Sequence, residues 1–197
     1  IHECAGENSS RMQLANSITN APTSHISMNL KITGPCCTFT CFEQTLSNVF
    51  ITAVQWLKTG IVDYILAGVG DEYHKILDYS VQKSSRYKPE KLNPFISNNS
   101  TYFQGEGFIS FLLCKDRGYC SIKNISIRNK KDSGFLDSAD YLIISANNNN
   151  KICSIIKKMA LNKPVAAYTN YFGSMITSAG FDIAAAAVAV KNKKLPP

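Results

Sequence analysis

Three cysteines and a glutamate lie close together in the stretch GPCCTFTCFEQTL, residues 34–46. Cys36, Cys37 and Cys41 follow a Gly-Pro pair, and Glu43 stands where an apolar-periodic segment begins. A short strand running into a helix N-terminus is a layout in which enzymes mount a nucleophile, because the helix dipole stabilises a thiolate. Cysteines packed as small hydrophobes around a strand are the simpler interpretation of the three thiols. The stretch therefore raises the question of which of these residues, if any, does chemistry.

The elements around this stretch follow from apolar spacing. Over residues 43–59 apolar side chains recur every three or four positions, which predicts a helix with one buried face and a stop at Gly60. Residues 36–42 are predicted to form a short buried strand, and 63–69 a strand buried on both faces, as in parallel sheets. We therefore expect a β-α-β unit between residues 34 and 71.

The later part of the chain repeats a β-α-β-α order. Apolar runs predict strands at 105–116, 140–146 and 164–169, and helices at 151–161 and 175–190. The runs AGVGDE and QGEGF lack a third glycine that opens a helix, so they are weak candidates for nucleotide binding. Their small residues are better explained as places where sheets and helices approach closely.

Composition sets the class of protein. The 197 residues are 45% hydrophobic and 18% charged, which is typical of a globular protein, and no apolar run is long enough to span a membrane. Seven cysteines without a CxxC pair or zinc-ribbon spacing predict neither a metal site nor a cofactor. Because no secretion signal is visible, we expect reduced thiols and a cytoplasmic location.

The net charge is +7, and the excess of lysine lies in the C-terminal half. A basic face attracts acidic partners, either nucleic acid or an acidic protein, although a solvated surface explains the same pattern. No nucleic-acid-binding motif accompanies the lysines, and aromatic residues are not interleaved with them. We therefore expect neither a nucleic-acid partner nor a membrane partner.

The order of the landmarks along the chain carries a family resemblance. They are SITNAPTSHISMNLKITGP, WLKTG, DYILAGVGDE, FQGEGFISFLL and the closing KPVAAYTNYFGSMITSAGFDIAAAAVAVKNKKLPP. In this order they resemble the β-ketoacyl synthases of the thiolase-like superfamily, and SxxNAPxSHIS is most similar to short chain-length-factor-type members. The resemblance implies a compact or truncated, layered α-β-α-β-α fold of two β-α-β-α halves, an N-terminal half at residues 1–137 and a C-terminal half at 138–197.

The resemblance also assigns the positions of the family's catalytic residues. Counting forward from Gly34 and back from Gly60 places the nucleophile position on Glu43 in both cases. The other positions fall on Asn147 or a neighbour for the first histidine, Thr169 for the lysine and Ser174 for the second histidine. The resemblance therefore implies a chain without the catalytic Cys-His-His set. Glu43 is then best explained as a first-turn carboxylate that stabilises the helix.

Three functions remain open at this point. The first is a non-catalytic, chain-length-factor-type subunit of a fatty acid or polyketide-like pathway, such as aryl polyene synthesis. It would pair with an active ketosynthase, or with itself as a homodimer, and dock an acyl carrier protein. The second is an active or atypical β-ketoacyl synthase or acyltransferase that uses Cys41 or Glu43. The third is a non-enzymatic scaffold or binding module.

Overall fold

The structure is a computed structural model that describes residues 18–84, 104–116, 118–125, 139–145 and 163–194. The chain divides into two units, Ile1–Cys41 and Phe42–Pro197. The resemblance implies another division, into an N-terminal half that ends at residue 137 and a C-terminal half. That division stays a prediction.

The first unit contains one described helix, α1 (Ala21–Asn29), which has proline in its first turn. The chain then continues to Cys41 without regular structure, and the Thr23 and Thr38 hydroxyls hydrogen-bond at 2.8 Å. The prediction of a buried strand at residues 36–42 is wrong, because this segment does not pair with another strand and is largely exposed. Threonine, phenylalanine and cysteine favour extended backbone, but that preference does not supply a pairing partner.

The second unit contains the remaining described elements. In chain order they are a 3₁₀ turn (Phe42–Gln44), α2 (Thr45–Thr59), β1 (Tyr64–Asp71), α3 (Lys75–Ser84), β2 (Gly107–Cys114), β3 (Leu142–Ile143), β4 (Val165–Ala166), the short α4 (Thr169–Phe172) and α5 (Ala179–Asn192). A fold of mixed helices and strands is therefore confirmed. The predicted helix at 151–161 lies outside the described residues.

Helix α2 follows its predicted pattern. Its buried residues Leu46, Phe50, Ala53 and Leu57 recur at intervals of three and four, so that they line one face. Gly60 ends the helix with φ of 74°, and its N–H closes the last turn on the carbonyl of Leu57. A side chain with a Cβ would be strained in this left-handed conformation, which is why glycine suits the position.

Strands β1 and β2 form an antiparallel pair in which Tyr64 opposes Cys114 and Asp71 opposes Gly107. Burial alternates along β1, with Ala67 and Val69 buried and Leu66 42% exposed. We predicted a strand of the parallel-sheet type that is buried on both faces, and both predictions are wrong. The strand β1 pairs antiparallel with β2, and only one of its faces is covered. The unbroken apolar run hid the alternation, because alanine, glycine and valine are compatible with either face.

The core of the second unit lies between α2 and the inner face of this sheet. Leu46 and Phe50 of α2 pack with Ala67 and Val69 of β1. Phe50 also contacts Phe111 of β2 edge-to-face, with ring centroids 5.4 Å apart. Part of α5 joins the same core, since Ala179 and Ile183 pack against it. This packing brings the first turn of α5 to the sheet.

The shorter strands β3 and β4 pair in parallel, Leu142 with Val165 and Ile143 with Ala166. A parallel pair needs a crossover connection rather than a hairpin, which agrees with the β-α-β order predicted for this region. Among the described residues, none of the helices is both long enough and apolar enough to cross a lipid bilayer.

Candidate functional site

Glu43 lies in the 3₁₀ turn that leads into α2, and its side chain is exposed. The residue before it, Phe42, has a left-handed backbone with φ of 49° and a side chain that is 78% exposed. A left-handed conformation costs a non-glycine residue roughly 1–2 kcal/mol, so the chain makes a sharp and costly bend at this point. The carboxylate of Glu43 thus stands at the surface near a helix N-terminus, where negative charge is favourable.

Thr169 and Ser174, by contrast, are buried, with exposures of 0% and 2%. Thr169 begins α4, and its carbonyl accepts the N–H of Gly173 at 2.8 Å, which closes the turn that leads to Ser174. Neither hydroxyl has a hydrogen-bond partner among the described residues. The structure therefore brings these two predicted positions into one buried turn, whereas it leaves Glu43 exposed.

Gln104 joins this turn from the other side, and the sequence analysis did not single it out. It forms a parallel β-bridge with Ser174, and the N–H of Gly105 donates to the Ser174 carbonyl at 3.2 Å. The Gln104 side-chain oxygen is buried without a partner in the described part of the chain. Gln104, Thr169 and Ser174 are thus three buried, uncharged polar residues that backbone hydrogen bonds link to one turn.

Gly105 allows that approach. A Cβ at this position would overlap the carbonyl oxygen of Phe172, so the two backbones meet at a distance that only glycine permits. We predicted that the small residues of the QGEGF run are places where elements approach closely. At Gly105 this prediction is confirmed. The phenyl rings of Phe172 and Phe181 stack beside the turn, with centroids 5.0 Å apart.

Asp182 is a second buried polar residue that the sequence analysis missed. It lies in the first turn of α5 and is 5% exposed. Burial raises its pKa to about 6, and the nearby Ser145 hydroxyl offsets part of that rise. Neither carboxylate oxygen has a hydrogen-bond partner among the described residues, and the Ser145 hydroxyl hydrogen-bonds to that of Ser178. The sequence held a signal for this residue, since Asp182 is the only charge between residues 175 and 190.

Tyr168 lies near Asp182. Burial raises the pKa of Tyr168, and the neighbouring Tyr171, Tyr141 and Asp182 raise it further. The hydroxyl of Tyr141 is buried and has no hydrogen-bond partner in the parts of the chain that the structure describes. This region therefore contains a buried carboxyl group and tyrosine hydroxyl groups.

The remaining predicted positions lie elsewhere. Cys41 is exposed and belongs to the first unit. Asn147 lies outside the described residues. Chemically, the buried turn offers hydroxyl and amide groups, which donate or accept hydrogen bonds but do not exchange protons near neutral pH. Among the described residues of this region, the carboxyl group of Asp182 has the pKa closest to neutral pH.

Of the comparisons with known proteins, the one with solved structures indicates the fold. No protein-family model matches the sequence, and no curated protein is significantly similar to it. The ishigamide ketosynthase/chain length factor superposes with a TM-score of 0.70 and 18% identity, over 91% of this chain and 54% of the other. A ketosynthase from module 1 of the bacillaene synthase of Bacillus amyloliquefaciens gives a TM-score of 0.64 and 14% identity, over 95% and 43%.

A third solved structure holds a type II polyketide synthase acyl-carrier protein in complex with its ketosynthase, bound to the hexaketide. It matches with a TM-score of 0.61 and 13% identity, over 89% of this chain and 57% of that one. At these identities the likeness shows the fold, which is the thiolase-like ketosynthase fold. The chain spans about half the length of the solved chains that it matches.

Proposed function

We propose that this chain is a non-catalytic, chain-length-factor-type ketosynthase-like subunit that pairs with an active ketosynthase in a fatty acid or polyketide-like pathway. The fold of the chain and the names of the matched structures support a ketosynthase-like role. Aryl polyene synthesis is the pathway type that the sequence resemblance favours. The acyl carrier protein of that pathway is the proposed second partner, and the net charge of +7 suits an acidic carrier.

The observation that carries the proposal is the chemistry of the buried turn. Thr169 and Ser174 occupy the positions at which the resemblance expects a lysine and a histidine, and both are almost completely buried. Decarboxylative condensation needs groups that polarise a thioester carbonyl and stabilise a carbanion, and it needs a thiolate to hold the acyl chain. A hydroxyl donates a single uncharged hydrogen bond, so two hydroxyls supply little of this stabilisation.

The nucleophile position gives independent support. An acyl-glutamate anhydride on Glu43 would hydrolyse too readily to carry a growing chain, and the exposure of Glu43 gives it no protection from water. Cys41 has a thiol but lies two residues before the expected position, in the other unit. Glu43 is therefore assigned to helix stabilisation, and Cys41 has no proposed role in acyl transfer.

Co-expression tests the pairing. The tagged chain is produced with candidate active ketosynthases from the same genome, and the complexes are analysed by size-exclusion chromatography with light scattering. The proposal expects a stable complex of one copy of each chain. A homodimer that excludes every ketosynthase would contradict the proposed heterodimer. A monomer that binds no ketosynthase would contradict the proposal and favour a scaffold or binding module.

A further inference from the structure

Three exposed lysines gather at the C-terminal end of α5. Lys191 lies in the last helical turn, and Lys193 and Lys194 follow it in the cap, where their backbone N–H groups donate to the carbonyls of Val190 and Ala189. A helix C-terminus carries about half a negative charge, which a nearby lysine offsets. Three ammonium groups exceed that partial charge, so this end of α5 is positive.

An aromatic side chain from another segment lies against these lysines. The Nζ of Lys191 is 5.2 Å from the centroid of the Tyr119 ring, which is a cation–π contact. Tyr119 is 59% exposed, and Val190, next to Lys191, is 55% exposed. Positive charge and exposed apolar area therefore occur together. We call these residues the lysine-tyrosine surface: Tyr119, Val190, Lys191, Lys193 and Lys194.

The packing of α5 separates this surface from the end of the sheet where β1 stops. The first residues of α5 lie at that end, because Thr177 bonds to Asp71 and a Cβ on Gly180 would meet the side chain of Val69. The helix rises about 1.5 Å per residue, so Lys191 lies about 16 Å from Gly180 along the axis. The two ends of α5 thus have different surroundings.

Acidic side chains gather at the end where α5 begins. The backbone N–H of Tyr73 donates to Glu106 at 3.2 Å, and the Tyr73 hydroxyl lies 3.2 Å from Asp78, two residues that flank the same end of the sheet as Asp71. At the other end of α5 lysines predominate, although the exposed Asp116 precedes Tyr119 by three residues. Charges separated in this way orient an approaching charged partner before contact.

We propose that the lysine-tyrosine surface docks an acidic protein, namely the acyl carrier protein of the proposed function, on which this inference rests. A positive patch that meets a negative one raises the association rate and fixes the orientation of the partner. The Lys191 ammonium already lies on the Tyr119 ring, so docking has fewer free rotamers to order. Val190 and Tyr119 supply the apolar contact area that protein interfaces combine with a polar rim.

A nucleic acid fits this surface less well than an acidic protein does. Proteins that bind single strands without sequence preference stack the bases on aromatic rings. The Lys191 ammonium covers one face of the Tyr119 ring, and the exposed Val190 offers no hydrogen bond to a phosphate. The observations therefore favour a protein as the acidic partner.

The probe for the experiment is a fluorescently labelled holo acyl carrier protein encoded in the same genome, and fluorescence anisotropy measures its Kd for the full chain. Lys191→Glu combined with Lys194→Glu should weaken binding about tenfold at low salt, and high salt should reduce that difference, because exposed charges are screened. The matched control combines Lys75→Glu with Lys83→Glu, two exposed lysines of α3. It changes the net charge equally and should stay within about twofold of the wild type.

A substitution that leaves the net charge unchanged tests the ring. Tyr119→Ala should weaken carrier binding about threefold, because the ring holds the Lys191 ammonium in place. Tyr79→Ala is its control, since the Nζ of Lys83 lies over the Tyr79 ring in the same way, at 5.6 Å, and carrier binding should be unchanged. Circular dichroism melting curves check that each variant is folded.

The outcomes separate this inference from the proposed function. Equal weakening in the two double variants would overturn the assigned surface and leave the proposed subunit function intact. A wild type that pairs with a ketosynthase but does not bind the carrier would overturn this inference and the carrier partner, but not the pairing. A single-stranded RNA oligonucleotide that binds more tightly than the carrier, and loses its binding in Lys191→Glu with Lys194→Glu, would overturn the inference in favour of a nucleic acid.

Discussion

Thr177 donates two hydrogen bonds to the same carboxylate oxygen of Asp71, from its backbone N at 2.8 Å and from its Oγ1 at 2.7 Å. The two residues are 106 positions apart, and the contact ties the end of β1 to the residue three positions after Ser174. Hydrogen bonds to an ionised acceptor are shorter and stronger than neutral ones. This carboxylate therefore holds the buried turn against the sheet.

Asp71→Ala should lower the free energy of unfolding by about 2–4 kcal/mol, because each hydrogen bond to a charged group contributes about 1.5–3 kcal/mol and Asp71 is only half-buried. Thr177→Val removes one of the two bonds and should cost less. Urea denaturation measures both variants. Asp63→Ala, which changes an exposed aspartate just before β1, is the matched control and should stay within about 0.5 kcal/mol of the wild type.

Thr169→Val replaces a buried hydroxyl by a methyl group of similar size. Because the hydroxyl has no partner among the described residues, its removal should be neutral or should stabilise the chain by up to about 2 kcal/mol. Ser174→Ala tests the second hydroxyl in the same way, although the smaller side chain leaves some space. A loss of more than about 1 kcal/mol in Thr169→Val would show that this hydroxyl is hydrogen-bonded in the folded protein.

Stability should depend on pH through Asp182. Its pKa is about 6 in the folded chain against 3.8 for an ordinary aspartate, so the folded state binds more protons between these values. The contribution of Asp182 to the free energy of unfolding should therefore be largest below pH 4, fall as the pH rises to 6 and level off above that. The fall attributable to Asp182 is on the order of 3 kcal/mol at most.

Asp182→Asn removes the titrating group and should remove this part of the pH dependence. Urea denaturation of both proteins at pH 4.5 and 7.5 measures the difference. Equal changes in the wild type and the variant between these two pH values would contradict a raised pKa at Asp182.

Gly105→Ala should destabilise the chain severely, by about 3 kcal/mol or more, because a Cβ there overlaps the Phe172 carbonyl and the two backbones must separate. Gly118→Ala is the control, since the nearest atom to a Cβ at that position is the Cys120 carbonyl oxygen at an ordinary 3.5 Å. Thermal melting compares the variants. A Gly105→Ala protein as stable as Gly118→Ala would show that the two backbones do not meet as described.

The sequence predicted those features that repeat at regular intervals. The three-and-four spacing from Leu46 to Leu57 identified α2, and Gly60 identified its end, because both signals are local. The direction in which β1 pairs depends on a strand that lies far along the chain. The spacing within β1 therefore did not predict its antiparallel partner. The order of the landmarks pointed to Thr169 and Ser174, but Ser174 pairs with Gln104, which lies 70 residues earlier in the chain and which spacing did not identify.

The most direct test of the proposed function is acylation by a radiolabelled acyl-carrier thioester. The chain is incubated with this substrate alone and together with its partner ketosynthase, and each subunit is then separated and counted. We expect no label on this chain in either mixture, and label on the partner where it is present. A stable label on this chain that is lost in Cys41→Ser or Glu43→Gln, but retained in the control Cys120→Ser, would contradict the assignment of a non-catalytic subunit.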